Sequence, residues 1–91
     1  MSNNTFVKDP DATLDYTVDW SSWMAESDDI ASSEWTVPAG ITKESDTYDD
    51  DSATIWLSGG SAGSSYEITN RITTEDGRLE DRTLVIVVME R

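Results

Sequence analysis

Carboxylates are the only chemically competent side chains this sequence holds in quantity: 19 Asp and Glu stand against 6 Lys and Arg, with no His and no Cys in 91 residues. Asp46, Asp49, Asp50 and Asp51 crowd one stretch and are flanked by Glu44. A hard cation such as Ca²⁺ wants about six to eight oxygens converging from a bent loop. The cluster has the charge, but not the alternating Asp spacing, Gly and distal Glu that fix an EF-hand. It reads as a solvated acidic turn that discourages edge pairing with other chains. Asp46, Asp49, Asp50 and Asp51 are a weak Ca²⁺ candidate; otherwise no metal and no cofactor is expected.

Paired carboxylates also run glycoside hydrolysis when they face each other at about 5–10 Å. So many acids make that separation common by chance, and a sandwich of this size has little room for a cleft of a few hundred Å³. Without His or Cys there is no Ser–His–Asp or Cys–His nucleophile, and almost no zinc chemistry. Neither Lys8 nor Lys43 sits in a Ser-x-x-Lys arrangement. The glycines of Gly59-Gly60-Ser61-Ala62-Gly63 lack the Lys-Ser/Thr and the helix that would make a phosphate cradle. The expectation is a protein with no catalytic residues.

Contact chemistry is better supplied. Four Trp are present, and Trp is enriched among binding hot spots. Trp20 and Trp35 share strand faces with apolar residues and read as core. Trp56 shares its face with Thr54 and Ser58, so it is either covered by another segment or exposed as an interface anchor. Trp56 is the first choice for a partner contact, ahead of Trp23. Phe6 and Val7, the apolar pair of the N-terminal stretch, are candidates to dock on a neighbour or on their own domain. The bases are uneven: residues 66–91 hold four Arg, among them Arg78 and Arg82, which are candidate partners for an acidic loop on another copy.

The elements that position these residues follow a period of two, the mark of half-buried strands. Leu14, Tyr16, Val18 and Trp20 share one face; Ala31, Ser33, Trp35 and Val37 form a weaker set. Ala53, Ile55 and Leu57 oppose Thr54, Trp56 and Ser58, and Tyr66, Ile68, Asn70 and Ile72 alternate with polar residues. Thr83–Met89 is apolar on both faces, as in a central strand of a two-layer stack. Val37-Pro38-Ala39-Gly40 suits a type I turn, Ser58–Ser65 a flexible loop, and Glu75-Asp76-Gly77 a hairpin tip. Trp20, Trp23 and Met24 are spaced for a single helical turn between strands. The whole reads as all-β: a single small immunoglobulin-like β-sandwich of about seven strands over 12–91, preceded by an arm over 1–11.

The formal charge of −13 repels nucleic acid and anionic lipid, so neither is an expected partner. The start, Met1 to Phe6, has no basic or apolar signal segment, and Leu84–Met89 is too short to cross a bilayer. Synthesis in the cytoplasm is expected.

Three stretches carry a resemblance. They are Lys8-Asp9-Pro10-Asp11-Ala12 with Leu14-Asp15-Tyr16 and Asp19-Trp20-Ser21-Ser22-Trp23; Trp35-Thr36-Val37-Pro38-Ala39-Gly40-Ile41; and Ile55-Trp56-Leu57-Ser58-Gly59-Gly60 with Ala62-Gly63, Tyr66, Asn70-Arg71-Ile72-Thr73-Thr74 and Gly77-Arg78. Together they resemble a family of short Ig-like virion proteins of tailed bacteriophages, some described as fibre–tail adaptors. The resemblance implies a non-enzymatic structural protein of the virion. Its implied partners are other phage structural proteins of the tail, neck, fibre or capsid, and further copies of itself in a symmetric assembly. Capsid decoration or cement is the structural alternative. A carbohydrate-binding module, using Trp56 and Trp23 as a coplanar stacking pair, is the alternative of another class.

Overall fold

The computed structural model describes residues 5–90. Among them every regular element is a strand: β1 (Thr5–Lys8), β2 (Leu14–Asp19), β3 (Ile30–Thr36), β4 (Ile41–Tyr48), β5 (Ser52–Gly59), β6 (Ser65–Thr74) and β7 (Leu79–Val88). They form a four-stranded sheet in the order β1-β7-β6-β3 and a three-stranded sheet in the order β2-β5-β4. All neighbouring pairs are antiparallel except β1 with β7. The chain passes between sheets after β1, β2, β3 and β5. This is the immunoglobulin arrangement, with the first strand laid on the last.

Strict alternation builds the core. Ala53, Ile55 and Leu57 of β5 have no exposed surface; they face Ile68 and Ile72 of β6 and Leu84, Ile86 and Val88 of β7. Tyr16 and Val18 add β2's inner face. The continuous apolar run of β7 has the expected cause: β7 lies between β1 and β6, with Val85 and Val87 half-buried on the outside.

Four expectations need correction or completion. Thr5–Lys8, placed in an arm ahead of a domain starting at 12, is a strand paired from Thr5↔Val85 to Lys8↔Val88. The sandwich therefore begins no later than Thr5. The rest of that arm, Met1–Asn4, lies outside the described residues, as does Arg91. In β3 a bulge between Ile30 and Ser32 shifts the register, so Ile30 is buried while Ala31 is exposed. β4 shows no apolar alternation, because it is an edge strand with only Ile41 buried. Asp46, expected in a loop, is therefore on a strand. The flexible loop shortens to Gly60–Ser64, between β5 and β6.

Two poles close the sandwich. At one, the Tyr66 hydroxyl accepts a hydrogen bond from the Ser61 amide at 3.0 Å. This is the tyrosine-corner arrangement at the start of the sixth strand. The ring lies against Gly40 and Gly60, and a Cβ on Gly60 would come 2.7 Å from Val88 Cγ2. Lys8 is fully buried here, and its Nζ donates to the carbonyls of Gly59 at 2.8 Å and Asp9 at 3.0 Å. It thus ties β1 of one sheet to the end of β5 in the other. Burial pushes its pKa down, against the pull of Asp9 and Asp11.

At the opposite pole the expected helical turn forms, with the Trp23 and Met24 amides both donating to the Trp20 carbonyl. Trp20 is fully buried, and its Nε1 donates to Asn70 Oδ1 at 2.9 Å. Asn70 Nδ2 donates in turn to Ser33 Oγ and the Glu34 carbonyl. This polar link ties the segment that follows β2 to β6 of the other sheet.

Candidate protein-docking surface

The acidic stretch is used for folding. Asp49 Oδ1 accepts hydrogen bonds from the Asp51 and Ser52 amides and from Ser52 Oγ, which shapes the β4–β5 turn. Those bonds, led by the Ser52 hydroxyl, hold its carboxyl below the usual range. The Asp51 and Asp50 carbonyls receive the Trp20 and Ile30 amides, so the turn is stitched to both ends of the β2–β3 connection. Asp46 pairs with Lys43 at 3.0 Å. The Ca²⁺ candidate is not assembled: among the described residues no three carboxylates converge as metal ligands.

Sequence reasoning missed Asp28, a buried carboxylate at the same pole. Burial raises its pKa, but hydrogen bonds from Thr74 and the Asp76 and Asp29 amides, with Arg78 nearby, outweigh it and leave the carboxyl low. Its role is to fasten the β6–β7 turn to the β2–β3 connection. A lone Asp in a polar loop gives no sequence sign of that.

The arginines do not form a pole opposite these acids. Arg82 stacks on Trp20, 4.4 Å from the ring centroid, and donates to the Asp19 carbonyl. Arg78 is exposed on the β6–β7 turn, at the acidic end. Arg71 makes a bidentate pair with Asp81 on the outer face of the four-stranded sheet. That pair lines a shallow polar depression of about 250 Å³ with Glu34, Thr36 and Thr69. Among the described residues Arg78 and Arg82 instead share the acidic turn's end.

The Trp and Phe candidates separate cleanly. Trp23 packs edge-on against Trp20, with ring centroids 5.4 Å apart, and against the core. Phe6 is 36 % exposed at the margin of the sandwich, its ring 5.3 Å from that of Tyr16. Val7 is exposed on the outer face beside Val87. Trp56 stands 40 % exposed on the outer face of the three-stranded sheet, with Asp15 on one side and Ser45 on the other. Among the described residues no segment covers it. Trp56 and Trp23 make no stacking pair, since Trp23 turns into the chain's own core at one pole.

These features define an immunoglobulin-like sandwich with Trp56 exposed on one sheet and Val7 on the other. A solved structure described as the solution structure of the PKD domain from KIAA 1837 protein is similar in fold, with a TM-score of 0.58 and 20 % identity over 98 % of this chain and 81 % of that one. No curated protein matches the chain. The model of the family described as podophage GP4 fiber-tail adaptor protein gp77 matches residues 8–87. The chain belongs to this phage adaptor family.

Proposed function

We propose that the chain is a non-catalytic structural component of a podophage-type virion that holds a fibre component to the tail by protein–protein contact. The observation that carries this reading is the extent of the family match. Residues 8–87 take in the sandwich from the end of β1 to the penultimate residue of β7, so the family match spans this domain and not an appended segment. The surface supports the reading. Asp49 and Asp46 of the acidic stretch are engaged in a turn and an ion pair, while Trp56 and Val7 are exposed. The chain would be made in the host cytoplasm and incorporated during assembly, with its strong negative charge keeping it off nucleic acid and lipid.

Disrupting the gene tests the reading. Particles are expected to retain filled capsids and tails but to lack fibres. Particles that keep their fibres, or whose capsids lose stability as a missing cement protein would cause, contradict it.

A further inference from the structure

The adaptor reading leaves open which face meets a partner and what that partner's surface is like; the inference here rests on that reading and narrows it. The outer face of the three-stranded sheet is rich in hydroxyls. Thr17 and Thr54 join side chain to side chain across β2 and β5 at 2.8 Å. One large apolar side chain, Trp56, rises from it. Asp15 lies directly beside Trp56 on β2. On the other side the β4 bulge brings out Glu44, whose carboxylate accepts the Ser58 hydroxyl and so lies on this same face. By strand register no Lys or Arg shares the face. Lys43 is paired with Asp46, and Arg71, Arg78 and Arg82 belong to the other sheet or its turn.

An aromatic anchor with a rim of one charge sign is the anatomy of a docking hot spot, where the anchor carries affinity and the rim carries orientation and on-rate. The outer face of the four-stranded sheet is different: its Arg71–Asp81 pair is neutral and internally satisfied. A second copy is a poor occupant for the Trp56 face, because both copies carry −13 and neither offers a base there. We infer that the outer face of β2-β5-β4, centred on Trp56, docks a protein surface with an apolar socket rimmed by Lys and Arg.

The test is to introduce Trp56→Ala, Asp15→Lys with Glu44→Lys, and, as a control on the opposite sheet, Glu34→Lys with Glu67→Lys. Copies per virion are counted by quantitative mass spectrometry, and each purified variant is checked for unchanged thermal unfolding. Loss of one buried hot-spot contact weakens binding about tenfold or more. Incorporation should therefore collapse for the first two variants and persist for the control. The Asp15→Lys, Glu44→Lys variant changes exposed positions only, so it keeps the test decisive if Trp56→Ala folds poorly. Normal incorporation of that charge-reversed variant, or equal loss in the control, overturns the inference. So does a Trp56-dependent dimer of the pure chain in sedimentation, or binding of host glycans that quenches Trp fluorescence while incorporation stays intact. If the wild-type chain is found on the capsid and not at the tail, the adaptor reading fails, yet the same variants still decide the docking face.

Discussion

Asn70 is fully buried, and its polarity is fully used. The Trp20 indole, the Ser33 hydroxyl and the Glu34 carbonyl all meet its amide. Asn70→Ala leaves a buried indole N–H without a partner and opens a small void, so a loss of about 2–4 kcal/mol is expected in urea unfolding. Asp49 makes the complementary argument at the surface. Its carboxyl is held below the usual range by the Ser52 and Asp51 bonds. A depressed folded pKa supplies stability that is fully present above the unfolded value of about 4 and is lost as pH falls through the folded pKa. Between pH 7 and pH 3, the urea midpoint of the wild type should therefore fall further than that of Asp49→Asn, which keeps an acceptor but cannot titrate. Equal falls would show that the turn contributes nothing to acid sensitivity.

Strands legible in the sequence are those whose one face is buried. β2, β5 and β6 alternate because each has a core on one side, and most of their inward residues follow from period two alone, whereas β7 shows itself as a run apolar on both faces. β4 was not readable: an edge strand with Lys43, Glu44 and Asp46 looks like an acidic loop, since the charges that protect an edge also erase the apolar signal. β1 was hidden by its brevity and by Lys8, a residue type rarely buried unless its ammonium finds acceptors. The bulge in β3 broke its pattern in mid-strand. Of the contact residues, the face of Trp56 followed from its neighbours, whereas its exposure depended on where the Trp20–Ala25 turn folded, which spacing does not encode. Glycine at 60 shows the same limit: sequence marks a flexible loop, but the structure shows a φ of +96° and close approach to Val88. Gly60→Ala combines left-handed strain with that clash, so a loss of at least about 1–2 kcal/mol is expected. An unchanged melting temperature would contradict the packing described for this pole.

At the scale of the whole molecule, Lys8 and Tyr66 close one pole of a 43 × 27 × 17 Å sandwich, and Trp20, Asn70 and Asp28 close the other. Its sheets present unlike faces, one with a lone Trp among acids and hydroxyls and one with a neutralised ion pair and an apolar margin at Val7 and Val87. A block with two unlike faces fits a joint between two different proteins better than a lattice of equivalent copies. The member of a tail or neck joint follows small cyclic symmetry, whereas a capsid protein follows the shell. Counting this chain per purified virion against the major capsid protein tests that distinction most directly. The adaptor account predicts roughly six to eighteen copies; a count in the hundreds would place the chain on the capsid lattice and contradict it.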